Sequence, residues 1–207
     1  MVQNDSYKTN RRKRQILMAA SRVFRRKGLH ASGMRDIAAE MGMHVSNLYY
    51  YFENKQALLA YCQEETLDRL LLLAKETGTL DRRVDGQLHW LICGHVRMLN
   101  AEIPASLAHL EVEALAPEKR RLVSRRRRRY ERTYRSLVRR GIVEGVFRPT
   151  DPKVAVLAIL GAVNWTVKWF RERGSSSLEE IGSEFADLMV RGLLAPGVEA
   201  RFGGSET

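Results

Sequence analysis

The sequence predicts an all-α chain. Apolar residues recur at helical spacing, no stretch sustains a period of two, and Gly and Pro cut the chain into pieces of helix length. A first segment over residues 11–27 carries Ile16, Leu17, Ala20, Val23 and Phe24 on one side and stops at Gly28. A second begins near Ser32 and sets Met34, Ile37, Ala38 and Met41 at i, i+3, i+4 and i+7 before Gly42. A short third segment covers 45–52. Asn54 then caps a longer one through Ala57, Leu58, Tyr61 and the leucines at 70–73. Beyond Gly78, helices are expected near 81–100, 105–115, 118–140, 151–173 and 178–194, divided by Pro104, Pro117, the "GVFRPTDP" loop and "GSSS". Asp151-Pro152 supplies an N-cap followed by proline at the first helical position. The grouping this implies is a three-helix domain over 1–56, a larger helical domain over 57–200 and a frayed tail over 201–207.

Composition narrows the class. At 207 residues, 44% hydrophobic and 29% charged, the chain can build a core without disulfides or metals. Cys62 and Cys93 share no CxxC or repeated spacing, which suits a reducing compartment. The N-terminus is polar and basic, and the most apolar stretch, 154–167, is interrupted by Asn164 and Thr166 and too short to span a bilayer. A cytoplasmic protein without a membrane partner is expected. The net charge of +11 is uneven: residues 1–60 carry 11 Lys/Arg against 4 Asp/Glu, and residues 117–150 carry 13 against 3, while the segments after each are net acidic. A polyanion that meets part of the surface fits this pattern. Catalysis does not. His30, His44, His89, His95 and His109 form no metal-ligand spacing, and Cys93-x-His95 reads as a packed thiol beside an imidazole. No GxSxG, P-loop or GxGxxG occurs. Neither a catalytic residue, a metal nor a cofactor is expected.

"MGMHVSNLYYYFENK" (41–55) carries the sharpest signal. Two short helices broken at Gly42 have helix-turn-helix spacing, in which the second helix enters a major groove. Successive residues on a helix point about 100° apart, so three consecutive tyrosines cannot share one core. Around the third segment Val45, Leu48 and Phe52 face inward with Tyr49 at the margin. Ser46, Asn47 and Tyr50 lie opposite, and Tyr51 sits on the flank. Spacing alone leaves two readings: a polar, aromatic face for base edges and phosphates, or tyrosines that staple this helix to its neighbours.

"RRKGLHASGMRDIAAEMGMHVSNLYYYFENKQALL" resembles the DNA-binding region of the TetR family of bacterial transcriptional repressors, through a Gly, a Ser, D-I-A, a second Gly, L-Y-Y-Y-F, a Lys and a Leu at fixed offsets over residues 12–60. The resemblance implies that Val45, Ser46, Asn47 and Tyr50 read bases on double-stranded DNA. It places Ser32, Tyr49, Tyr51 and Lys55 at phosphates, with Arg35 at phosphate or base and His44 beside them. Gly33 and His44 depart from the Ser/Thr and small polar residue common there. The arm "KTNRRKR" is either a backbone or minor-groove contact or a solubilising tail.

Two further stretches remain. Arg125–Arg129 cover every face of a helix whose apolar side is Leu122, Val123, Tyr130, Tyr134, Leu137 and Val138, so some arginines are expected beside Glu111, Glu113 or Glu131. A solvated, salt-bridged helix, a site for a phosphorylated ligand and a basic membrane-surface helix are the readings this allows. "PKVAVLAILGAVNWTVKWFRERG" is apolar almost all round and is expected to be buried on both sides, with Leu160 and Leu188 at packed faces. The TetR resemblance implies a homodimer through the last two helices that reads a palindromic operator. "GAVNWTVKWFRERGSSSLEEIGSEFADLMVRGL" is similar to the C-terminal region of a TetR subgroup that represses fatty-acid or steroid catabolism and responds to acyl-CoA thioesters. On that resemblance Leu91, His95, Asn164, Trp165, Lys168 and Trp169 are the ligand-site candidates. The alternatives are an unrelated hydrophobic effector or none.

Overall fold

The computed structural model describes residues 2–102, 109, 111–171 and 174–202. Their regular structure is helical: α1 (Val2–Lys27), α2 (Met34–Glu40), α3 (Val45–Tyr49), α4 (Lys55–Thr77), α5 (Val84–Arg97), α6 (Pro117–Val143), α7 (Pro152–Trp169) and α8 (Leu178–Arg191). A π-helical turn, Met98–Glu102, extends α5, and a 3-10 turn spans Val112–Ala114. An isolated antiparallel bridge joins Phe147 to Leu194, and among the described residues no strand forms.

Several boundaries differ from the sequence reading. α1 begins at Val2, so the "KTNRRKR" stretch continues the helix instead of trailing from it; residues 2–10 contain neither Gly nor Pro to prevent this. α2 starts two residues late, because Gly33 serves as its N-cap with extended backbone. Of the helix expected at 105–115, residues 105–108 and 110 lie outside the described residues, and what is described of it holds a 3-10 turn over Val112–Ala114. Of the tail expected to fray from 201, residues 203–207 lie outside the described residues, whereas Arg201 and Phe202 are held. The Arg201 N–H donates to Asp85 Oδ2 at 2.8 Å, and the Phe202 ring stacks on His89 at 4.2 Å.

The chain divides into two compact units, Met1–Thr66 with Ile103–Ser124, and Leu67–Glu102 with Arg125–Thr207. The boundary expected after residue 56 falls inside α4, one continuous helix. In the first unit Ile16, Val23, Phe24, Ile37, Leu48, Phe52 and Leu58 are buried together, the inward set that periodicity picked out. Arg22 and Arg26 of α1 both bond Glu40 of α2, at 2.6 and 2.9 Å, and Lys27 bonds Asp36 at 2.5 Å. In the second unit α5 packs along α8, with Leu88, Leu91, Ile92 and Val96 buried and Ala186 and Val190 buried on α8. Gly141 of α6 lets the Phe147 ring lie on the helix backbone: a Cβ there would sit 2.1 Å from Phe147 Cδ2.

Candidate nucleic-acid interface and effector site

The turn between α2 and α3 is set by backbone chemistry. Gly42 takes φ +62, the left-handed conformation that ends a helix cheaply only at glycine, and the Met43 N–H closes onto the Ala38 carbonyl at 3.0 Å. His44 then caps α3: its Nδ1 accepts from the Ser46 N–H at 3.4 Å and meets Ser46 Oγ at 2.8 Å. The imidazole thus performs the capping that a small polar residue would, which explains its presence there. It also orients the Ser46 hydroxyl.

With Leu48 and Phe52 buried, α3 turns Ser46, Asn47 and Tyr50 outward. Tyr50 is 82% exposed, and its ring meets Tyr51 edge-on at 5.0 Å. Tyr49 is 48% exposed, Tyr51 and Val45 are half-buried, and His44 and Arg35 are exposed. At 100° per residue Ser46, Tyr50 and Asn47 fall on the side of α3 opposite Leu48. Ser32 does not join them. It is 4% exposed and its hydroxyl donates to the Gly28 carbonyl at 2.5 Å, because Gly33 has taken the capping position. Lys55 also turns inward: Nζ donates to the carbonyls of Leu29 and Ser32, both at 2.6 Å. Burial pulls its pKa below the usual lysine value. Two of its three N–H donors therefore tie the α1–α2 loop to α4.

The structure divides the six ligand-site candidates. Leu91 and His95 are buried in the second unit, and Asn164 is half-buried with its carbonyl oxygen enclosed. Trp165 (59% exposed), Lys168 and Trp169 are on the surface of the unit, with Trp169 stacked 6.1 Å from Phe185. Both indoles are candidates for the ligand site, and the chain alone does not enclose them. Nor is α7 buried on both sides. Val154, Leu157 and Trp165 are exposed apolar side chains on one stripe, and Leu188 of α8 is 72% exposed.

Sequence reading missed the partners of His95. Tyr134 and Tyr130, taken as apolar packing, place their hydroxyls 3.1 and 3.2 Å from His95 Nδ1. Their i, i+4 spacing on the apolar side of an arginine-rich helix was the available signal. Burial pulls the His95 pKa down to about 3, so the ring is neutral, and burial lowers that of Arg127 as well. The five-arginine run is partly paired: Arg126 bonds Asp68, Arg127 is mostly enclosed, and Arg125, Arg128 and Arg129 are exposed. Arg120–Glu113 and Arg135–Glu131 form as expected, while Glu111 lies 3.5 Å from His30. Burial and then Asp187 push the Cys93 thiol up to about 11, and it donates to Gly182 O at 3.5 Å. No group of three or more metal-binding side chains occurs among the described residues. Likewise no described helix is long and apolar enough to cross a membrane.

A capped two-helix turn with a solvent-facing polar and aromatic helix, on an all-α chain with a second helical unit, defines a helix-turn-helix DNA-binding regulator. The family model for bacterial regulatory proteins of the tetR family matches residues 16–62, and that for the tetracyclin repressor-like C-terminal domain matches residues 81–193. The chain belongs to the TetR family. It is 23% identical over 198 residues to the HTH-type transcriptional repressor KstR2 of Mycobacterium tuberculosis strain H37Rv, covering 91% of this chain and 96% of that one. The crystal structure of PfmR, a TetR family regulator from Thermus thermophilus, superposes with a TM-score of 0.78 at 30% identity, covering 87% of this chain and 99% of that one. AibR in complex with isovaleryl coenzyme A and operator DNA superposes with a TM-score of 0.74 at 25% identity, covering 88% and 98%.

Proposed function

We propose that this protein is a homodimeric repressor that binds a palindromic operator and is released by an acyl-CoA thioester. The outward face of α3 carries the DNA part of the reading. Ser46, Asn47 and Tyr50 have the donors, acceptors and ring that base edges require, with Val45 for a thymine methyl. Arg35, His44, Tyr49 and Tyr51 are the candidates for phosphates. Pairing of two copies supplies the second half-site, and the exposed apolar stripe of α7 with Leu188 is the surface that such pairing would cover. For the effector, the support is chemical. The second unit holds Leu91, His95 and Asn164 inside and Trp165, Lys168 and Trp169 outside, an apolar and polar interior beneath an aromatic, cationic surface. A long acyl chain joined to an adenine nucleotide needs both. The complex of AibR with isovaleryl coenzyme A and operator DNA supports the same class.

DNA and effector must then weaken each other reciprocally. The experiment is an anisotropy titration of the complex with a duplex selected by the protein from a random library, using CoA thioesters of graded length, with free CoA as control. Release by thioesters but not by CoA supports the reading. Release only by unrelated apolar compounds replaces the effector, and failure to select any sequence removes the operator.

A further inference from the structure

α6 pairs some of its arginines and leaves others open, and the two sets lie on different faces. From residue 125 onward, Arg126, Arg135 and Arg140 bond Asp68, Glu131 and Glu144. Arg125, Arg128, Arg129, Arg132 and Arg139 are exposed and have no acidic partner among the described residues. At 100° per residue these five fall within about 100° of arc, and Glu131 and Glu144 stand about 60° beyond its two edges. Between 125 and 139 the other residue on that arc is Ser136, also exposed. The row therefore runs along about 21 Å of helix axis with neither an acid nor an apolar side chain in it.

A face that is only solvated does not need such a row. Arg125–Arg128, Arg125–Arg129, Arg128–Arg132 and Arg129–Arg132 are three or four residues apart, so their charges are neighbours on the helix and repel. A solvated helix relieves this by interspersing acids, as α6 does where Glu131 meets Arg135 and Glu144 meets Arg140. The row lacks that device, so anions from outside the chain must balance it. The residue types select among polyanions. Guanidinium forks take phosphate oxygens in pairs and are weakly hydrated. A protein partner is held mainly by buried aromatic and apolar anchors, with rim charges adding little, and the row offers no anchor. A helix that grips a lipid surface inserts an apolar face, whereas Tyr130, Tyr134, Leu137 and Val138 of α6 are buried in the protein. A phosphodiester backbone needs neither, because its regularly spaced charge binds a cationic row by counterion release alone.

We propose that the arginine row of α6 is a second DNA-binding surface, which grips the backbone of duplex DNA without reading its sequence. It is separate from the bases met by α3, and it rests on DNA binding by the chain and not on the effector. Each arginine of the row that meets a phosphate adds to affinity for any duplex and steepens its dependence on salt.

The test compares Arg128→Gln/Arg132→Gln with Lys75→Gln/Lys153→Gln, which removes the same charge from positions off the row. All four side chains are exposed, so both variants should melt near the wild-type temperature. Anisotropy is measured on a duplex of random sequence across a salt series. At about 0.1 M salt the row variant should bind at least tenfold more weakly than the wild type, with a slope of log Kobs against log salt lower by about two units, roughly 0.9 for each phosphate lost. The off-row variant should stay within about threefold, with a slope change below one unit. A selected duplex trimmed to its footprint, then flanked by further turns, then mixed with an unlinked duplex, locates the phosphates. A loss that grows with the flanks puts them beside the operator, and one that grows with the unlinked duplex puts them on a second segment. The proposal is overturned if the two variants match on the random duplex, or if the wild type does not bind it. It is overturned too if the row variant keeps the random duplex but loses polyglutamate or phosphatidylglycerol vesicles, which would assign the row to an acidic protein or a lipid surface. If no sequence can be selected, the operator reading fails, while the random duplex still decides this one.

Discussion

Lys55 separates two roles that the same side chain could play, and Lys55→Met tests them. Its ammonium makes two charge-assisted bonds, each 2.6 Å, to carbonyls of the loop that leads into α2. Such bonds contribute about 1.5–3 kcal/mol each when sheltered. Here the residue is half-exposed and water can replace part of the loss, so about 2–3 kcal/mol in total is expected. For a chain of 207 residues that corresponds to a melting temperature lower by roughly 4–12 °C. Methionine keeps the apolar length of the stem and removes only the charge and its donors. Calorimetry measures the first effect, and anisotropy of the selected duplex across a salt series measures the second. A residue bound to phosphate contributes about 0.9 to the slope of log Kobs against log salt, so a tying residue should leave that slope nearly unchanged. An unaltered melting temperature with a slope reduced by about one unit would refute the reasoning and make Lys55 a phosphate contact.

Tyr50→Ala should weaken binding to the selected duplex by about 1–3 kcal/mol without lowering the melting temperature, since the ring is 82% exposed; anisotropy and calorimetry together check it. Gly141→Ala places a methyl inside the contact radius of the Phe147 ring and should cost about 1–3 kcal/mol in urea unfolding. Leu188→Glu should leave the fold intact, because Leu188 is exposed in the single chain, and should yield monomers in sedimentation with loss of tight duplex binding. His95 gives a pH dependence. Its folded pKa, about 3, lies below the unfolded value of 6.5, so the unfolded chain binds the proton first. Stability should fall as pH drops through that window, by about 2 kcal/mol at pH 5, and urea unfolding of His95→Phe should lack this slope.

Most of the fold was legible because helix ends are local. Gly28, Gly42 and Asp151-Pro152 act through backbone conformation and capping, which depend on a few neighbouring residues. The start of α1 was not legible: a polar, basic stretch is compatible with both helix and tail, and nothing in residues 2–10 decides between them. The outward face of α3 followed from periodicity once Leu48 was taken as buried. Ser32 and Lys55 did not, since their partners are backbone carbonyls of a loop whose path no residue type announces. The His95 cluster was half legible. The histidine stood out by its chemistry, but its tyrosines come from a helix 35 and 39 residues away, and only folding joins them.

The arginines of α6 show why charge counts by segment mislead about charge in space. Of the excess in residues 117–150, Arg120, Arg126, Arg135 and Arg140 are spent on Glu113, Asp68, Glu131 and Glu144. From residue 125 on, Arg125, Arg128, Arg129, Arg132 and Arg139 are exposed and have no acidic partner among the described residues. At 100° per residue these five fall within an arc of roughly 100°, so the unpaired charge forms a broad row along one side of the helix. Paired arginines contribute little field at a distance, because each is cancelled within a few ångströms. A row of unpaired ones adds up over a Debye length of about 8 Å at physiological salt. In the first unit Arg22, Arg26 and Lys27 are paired with Glu40 and Asp36, while Arg11, Arg14, Arg25 and Arg35 are exposed with no acidic partner among the described residues. The field that a polyanion meets is therefore set by where folding leaves cations unpaired, which the net charge of +11 does not say.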